Sequence, residues 1–500
     1  MNSYPSEPLL ETRSFAEEQA ERAAIDLSAR GPVLFLFAAA VFWLLVGTWL
    51  GFVSSLQSHN PDIFSGIFWY DFGRTWPAYV NVMFWGWAGN AGLGVCVWLL
   101  SRLCRREVST PKLILVGSFF WNVALLFGVL AILGGGNTGV EGLEFPPAVA
   151  FLLFISYLFI AVWAFVTFFK RKPGVTYVSQ WYLLAALLCL PWSYGTAQVL
   201  LFCQPVQGVM QAIVSNWFFQ NLMGLGLVPI GLASAYYFIP KVLGRPVYSY
   251  YLAAFGFWSL LVFSGWTGTS KLIGGPVPMW ISTVGSVANM LLLVPVIVVA
   301  INHHMTMKGH FNLLVTSPTL RFTVAGAMSY TAYSILSALA SIRWVDEVTH
   351  FSFFHTGLLQ LGIYAFFTMT MFGAMYYIVP RLAGCEWRSA FYIKVHFWGA
   401  FYGVVLMIIM LLLGGIIQGA TLSSRSWDNW DIQFVASVWR AAPYLVARSI
   451  AWLLLAVSHG VFAYHFYLML RRAGQPAGHP TLFDAPPRNR DMHAREGVLA

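Results

Sequence analysis

Apolar residues run along this chain in stretches far longer than a soluble core helix needs, and the polar positions gather between them. Runs long enough to cross a hydrocarbon core, about 20 residues each, fall near 32–54, 79–101, 113–133, 147–169, 181–203, 216–238, 250–270, 281–302, 322–342, 355–379, 392–416 and 444–469. Lipid offers no partner for backbone N–H and C=O groups, so each run is expected to be a helix. The pattern predicts an all-α polytopic membrane protein with a twelve-span domain at 32–470. A polar N-terminal tail at 1–31 precedes it, and a Gly/Pro-rich tail at 471–500, too poor in apolar residues to fold alone, follows.

Composition agrees: 58% of the 500 residues are hydrophobic and 9% charged, against a charged fraction near a quarter in soluble domains. The net charge of +9 is spread thinly rather than gathered into a face that would hold nucleic acid. It sorts by loop instead. Loops after even-numbered spans carry Arg102, Arg105, Arg106, Lys112, Lys170, Arg171, Lys172, Lys241, Arg245, Lys308, Arg321, Arg381, Arg388 and Lys394; loops after odd-numbered spans carry Arg74, Lys271, Arg343, Arg425, Arg440 and Arg448. That bias predicts a bacterial-type inner membrane protein with both termini in the cytoplasm. The acids Glu7, Glu11, Glu17, Glu18, Glu21 and Asp26 argue against a signal peptide and for a cytoplasmic, helical tail. Cys96, Cys104, Cys189, Cys203 and Cys385 form neither CxxC nor CxxCH, which excludes a thiol redox motif and covalent c-type haem.

Polar groups at membrane depth are costly and therefore functional candidates. Of the eleven His, His355, His396, His459 and His465 fall within or at the edge of spans, while His350, His303, His304, His310 and the rest are expected in loops or tails. His303, His304 and His310 match no common tetrahedral metal spacing and read as a hydrated cluster. Asp and Glu avoid the span centres, which weakens a proton-coupled transporter.

Several ordered strings then resemble subunit I of the cbb-type haem–copper terminal oxidases, themselves related to bacterial nitric oxide reductases. They include Phe72-Gly73-Arg74 with Pro77, Gly89-Asn90, Tyr236-Tyr237-Phe238-Ile239-Pro240-Lys241, Arg245-Pro246-Val247-Tyr248-Ser249-Tyr250, Ile301-Asn302, His355-Thr356-Gly357, Val379-Pro380-Arg381, His396-Phe397-Trp398 and Ile417-Gln418-Gly419. The resemblance covers the chain from about Arg30 to Leu470 and implies a twelve-helix subunit I bundle. It also implies a low-spin haem between two axial His, a high-spin haem on one His and copper on three.

At the positions the resemblance assigns to these ligands, most imidazoles are replaced. The first low-spin ligand falls on Tyr79, and the second is His355. The high-spin ligand falls on Phe353, the copper ligands on Gln220, Ser270 and Lys271, the cross-linked Tyr on Ser264, and a proton-handling Glu on Leu336. Glu144, with Glu141 before it, matches an acidic stretch near haem propionates and a structural cation. Copper is not expected on amide and hydroxyl oxygens. Haem is not expected either, unless a low-spin haem is retained through His355 with Tyr79 as a phenolate. Phe351, Phe353 and Phe354 are expected to fill space left by a macrocycle. Lys271 is read either as a surrogate cation bonded to Gln220 and Ser270 or as a side chain reaching the outer interface. Arg440, Arg448, Asp428 and Asp431 on the outer side are candidates for salt bridges or a partner contact.

The expected function is a non-catalytic, subunit I-like component of a cbb-type cytochrome c oxidase-like respiratory complex, in contact with partners such as a c-type cytochrome. The alternatives are an active oxidase or nitric oxide reductase with unusual ligands, and a transporter or channel reusing the bundle.

Overall fold

The computed structural model describes residues 15–424 and 430–473, with side chains from 17 to 424 and from 433 to 473. Twelve segments of span length follow one another: α1 Phe15–Gln57, α2 Phe72–Cys104, α3 Pro111–Leu133, α4 Pro147–Phe169, α5 Val178–Cys203, α6 Val209–Leu243, α7 Tyr250–Leu272, α8 Met279–Met307, α9 Pro318–Ala340, α10 Phe353–Ala383, α11 Ala390–Ser423 and α12 Trp430–Arg471. Eleven are apolar enough to cross a membrane on composition alone. The other, α9, spans 23 residues, about 34 Å at 1.5 Å per residue, but Thr319, Thr323, Ser329, Thr331, Ser334 and Ser337 dilute its hydropathy.

Burial arranges the spans in layers. In the most apolar window of α2, α6 and α10 respectively 94%, 89% and 94% of residues are buried, against about half or less in most others, so these three make the inner wall. Each carries a π-helical stretch (Val82–Ala88, Leu222–Leu227 and Leu361–Thr368). Such widened turns concentrate at functional positions, because the extra residue re-aims the side chains on either side. Outside them, α11 and α12 pack along each other, α11 against the start of α10 and α12 on α1.

Glu7 and Glu11 lie outside the described residues; from Phe15, where these begin, the acidic stretch with Glu17, Glu18, Glu21 and Asp26 continues into the first span as one helix, α1. Its side chains clamp two loops: Glu21 pairs with Arg105 at 2.6 Å and Lys172 at 2.7 Å, and Asp26 with Arg102 at 3.5 Å. His303 departs from the expectation of a hydrated cluster. It lies on α8, buried, with its ring 4.6 Å from that of Tyr236, while His304 packs on Phe311 and His310 is solvent-facing. The helix extends one turn past the apolar run, which carries His303 inward.

Candidate functional site

The inner wall brings α2 and α10 together at Tyr79, which is 1% exposed. Its hydroxyl donates to Oε1 of Gln360 at 2.8 Å. Trp452 of α12 sets its ring edge against Tyr79 at 5.4 Å and against Tyr364 at 5.7 Å. It reaches this place because α1 offers Gly51, where a Cβ would lie 2.3 Å from the indole. Tyr364 in turn stacks on His459, whose Nδ1 is 2.7 Å from Thr48 Oγ1.

This geometry corrects one expectation. The residue facing Tyr79 is Gln360, and His355 lies on another face of α10, because five residues at 100° each turn a helix by about 140° beyond a full turn. Gln360 thus meets Tyr79, and Leu358, two residues before it, lines a cavity. Phe353 is half-buried at the start of α10, where its N–H donates to Gln418 Oε1 at 3.0 Å. Of the three Phe expected to fill macrocycle space, Phe351 is 89% exposed and fills nothing, whereas Phe354 packs with Ala340 and Leu358.

A haem held from α2 and α10 needs donors about 4 Å apart across the iron, twice a metal–imidazole bond, with its macrocycle between them. Tyr79 and Gln360 touch directly and Trp452 fills the flank, so these side chains do not fit a haem there.

The substituted copper positions do converge. Gln220 of α6, Ser270 and Lys271 at the end of α7, Asn289 of α8, Tyr333 of α9 and His355 of α10 line one cavity of about 60 Å3. Ser270 Oγ donates to Thr267 O at 2.8 Å and accepts from Asn289 Nδ2 at 2.9 Å. Gln220 bonds Tyr333. Both are thus engaged elsewhere, and Lys271 Nζ sits 5.6 Å over the Phe219 ring, so the surrogate-cation arrangement with Gln220 and Ser270 is not formed. Ser264 and Leu336, like Tyr79, Phe353 and Glu144, lie off the cavity. Ser264 is buried beside Gly224 with its hydroxyl unpartnered, and Leu336 packs on Ala340, Phe354 and Leu358.

The short helix Arg343–Thr349 contributes Asp346 to the lining of this cavity. Asp346, buried, reaches His350 Nδ1 at 3.0 Å and His355 Nε2 at 3.6 Å. Burial opposes ionisation of Asp346, but the contacts and charge of the two imidazoles outweigh it and hold the carboxyl below its ordinary range. The pieces are fixed from behind by α11: a Cβ at Gly419 would lie 1.6 Å from the Val348 carbonyl oxygen, and Gly415 meets the backbone of Phe354 almost as closely. Asp346, His350 and Gln360 were missed from sequence. The four-residue spacing of Asp346 and His350, one turn of helix apart, was the available signal for the first two.

Glu144 is buried in the loop between α3 and α4 and accepts from Asn81 Nδ2 at 2.7 Å. Burial, only partly offset by that bond, pushes its carboxyl up to about 7. Glu141 is exposed. Arg448 of α12 is buried and donates to Ser55 Oγ at 2.9 Å and Ser58 Oγ at 2.7 Å; Arg440 donates to Thr421 at 3.3 Å. Asp428 and the side chain of Asp431 lie outside the described residues.

Comparison with known proteins follows the same lines. Residues 31–468 match the family described as Cytochrome C and Quinol oxidase polypeptide I. The Cbb3-type cytochrome c oxidase subunit CcoN1 of Stutzerimonas stutzeri is 28% identical over 445 residues, covering 87% of this chain and 94% of that one. Cytochrome c oxidase subunit 1 homolog of Azorhizobium caulinodans is 27% identical over 455 residues, 88% and 82% of the two chains. Cytochrome c oxidase subunit 1 of Rhodobacter capsulatus is 27% identical over 466 residues, 88% and 85%. A cryo-EM structure of a heme-copper terminal oxidase dimer superposes with a TM-score of 0.69 at 13% identity, covering 92% of this chain and 85% of that one, and so shares the fold. The chain is a multi-pass membrane protein and belongs to the cytochrome c and quinol oxidase polypeptide I family, as a divergent subunit I-like member.

Proposed function

We propose that this chain is a subunit I-like membrane component of a cbb-type oxidase-like respiratory assembly and does not itself reduce oxygen. The observation that carries the reading is the 2.8 Å bond from Tyr79 to Gln360, which closes the space where an iron would stand between two imidazoles. Gln220, Ser270 and Lys271 extend it, since amide, hydroxyl and ammonium groups are poor copper donors beside three imidazoles. The bundle then serves as a scaffold, with both termini in the cytoplasm and its outer face available to an electron-carrier subunit such as a c-type cytochrome. Residues 1–31 and 471–500 are the tails of the 32–470 membrane domain in this reading.

Haem retention is the second reading, and Arg448 favours it. Its buried guanidinium meets hydroxyls and a backbone carbonyl, a donor set suited to an anionic carboxylate of the kind a haem carries.

Purification of the chain with its co-purifying subunits decides between them. The proposal expects c-type cytochrome partners, no Soret band assignable to this subunit, no copper, and no oxygen uptake with reduced cytochrome c. A stoichiometric b-type haem on this subunit that turns over oxygen overturns it.

A further inference from the structure

With Gln360 facing Tyr79, His355 makes no contact there, and its place in the cavity lining has another chemical meaning. Asp346, His350 and His355 bring one carboxylate and two imidazole nitrogens within 4.8 Å of one another. We propose that these three residues bind a single divalent first-row transition-metal ion, with its remaining coordination positions open to the cavity.

The donor set is the first argument. Two imidazoles and one carboxylate without thiolate suit zinc or ferrous iron, and a three-ligand site leaves positions for water. The separations are the second: His350 Nδ1 to Asp346 Oδ2 is 3.0 Å and His355 Nε2 to Oδ1 is 3.6 Å. An ion bonded at about 2.1 Å to each donor needs neighbouring donors roughly 3 to 3.5 Å apart, so the His350 pair already has that spacing and His355 must draw in slightly.

The orientation of His350 is the third. Its Nδ1 lies 3.0 Å from the carboxylate yet is not aligned for a hydrogen bond to it or to any other described group. An imidazole nitrogen this close to a carboxylate oxygen with no hydrogen bond between them is the pairing that two ligands of one ion would show.

The backbone supports the cluster. Asp346 and His350 stand one helical turn apart, with His350 N–H donating to Asp346 O at 2.7 Å. Phe351 then takes φ +57°, a left-handed conformation that costs a bulky residue energy and persists where surrounding structure demands it. That turn brings α10 back so that His355 meets the same carboxylate. Ser352 holds the bend, donating to Thr349 O at 2.7 Å and accepting from Phe354 N at 3.3 Å. Asp346 and His355 share the cavity lining with Gln220 and Lys271, so a water or small anion on the ion would meet polar groups there.

The site goes beyond the proposed scaffold role, because it needs neither haem nor partner, and its test reads metal directly. Protein purified in detergent is stripped with a chelator, and Co2+ is titrated in while its visible ligand-field bands are followed, with Zn2+ as competitor. One Co2+ per chain, displaced by Zn2+, is expected. His350→Ala and His355→Ala should each weaken binding more than about tenfold, as loss of even supporting groups does. His304→Ala, on the cytoplasmic side of α8 by the loop-charge orientation, should leave it unchanged. His350 is half-buried in a turn, so that variant is expected to remain folded, which a size-exclusion profile checks. Folded wild-type protein that takes up no Co2+, or that binds it equally after both His substitutions, overturns the proposal whatever the haem content is.

Discussion

Tyr79 and Gln360, 281 residues apart in sequence, are joined by a 2.8 Å hydrogen bond in the dry centre of the bundle. The phenol also carries the edge of Trp452, so one side chain ties α2, α10 and α12 together. A buried partner left alone costs about 1–3 kcal/mol, whereas replacing both by apolar groups is nearly neutral. Tyr79→Phe is therefore expected to lower the thermal midpoint in detergent. Tyr79→Phe with Gln360→Leu should recover most of the loss. If the double variant is no more stable than the sum of the single changes, the bond is not what holds the pair.

The same contact governs what regrafting could achieve. Placing imidazoles at both positions, Tyr79→His with Gln360→His, supplies donors but no room, since Trp452 remains against Tyr364 and over Gly51. The double variant, expressed with haem supplied, is expected to show no bis-imidazole Soret band. Adding Trp452→Ala opens the flank and should permit partial haem uptake. A full band in the double variant alone would mean that the indole moves aside easily.

Glu144 makes stability depend on pH. Its folded pKa of about 7 stands above the ordinary 4.5, so the folded state holds the proton more tightly than the unfolded chain. The stability this brings is fully present below about 4.5 and is lost as pH rises through 7, by at most about 3 kcal/mol. Wild-type protein is thus expected to melt lower at pH 8 than at pH 5.5. Glu144→Gln keeps an acceptor for Asn81 and removes the charge, so its melting should be flatter across that range and higher than wild type at pH 8.

The spans were legible because burial in lipid demands long apolar runs. Even α9 could be read, since the Thr and Ser that dilute it are separated by apolar residues. Convergence of Gln220, Ser270 and Lys271 followed from the strings around them, each close in sequence to its anchor. The α10 register was not legible in the same way. His355 is the lone imidazole of that stretch and attracts the alignment, but side-chain direction changes by 100° per residue, and only the fold reveals that Gln360 faces α2. Asp346 was not legible because an acid beside Glu347 in a loop between spans looks solvated until the fold buries it. The exposure of Phe351 likewise depends on a left-handed turn that its neighbours impose and its own side chain disfavours.

That turn and the short helix before it are seated on α11, and the seat can be tested through one glycine. At Gly419 an added Cβ would lie 1.6 Å from the Val348 carbonyl oxygen, which is backbone and cannot swing away as a flexible side-chain tip can. Gly419→Ala must therefore lift Arg343–Thr349 off α11, and overpacking of this kind costs about 1–3 kcal/mol. Gly460, on α12, has nothing within 4 Å of the place a Cβ would take, so Gly460→Ala gains helix propensity worth about 1 kcal/mol or less and loses no contact. The expected outcome is a lower melting temperature for Gly419→Ala and an unchanged or higher one for Gly460→Ala. Because Val348 lies between Asp346 and His350, Gly419→Ala should also spread those side chains and weaken Co2+ uptake, while Gly460→Ala leaves it intact. Equal melting and equal uptake in the two variants would show that the close approach at Gly419 relaxes without disturbing the cluster.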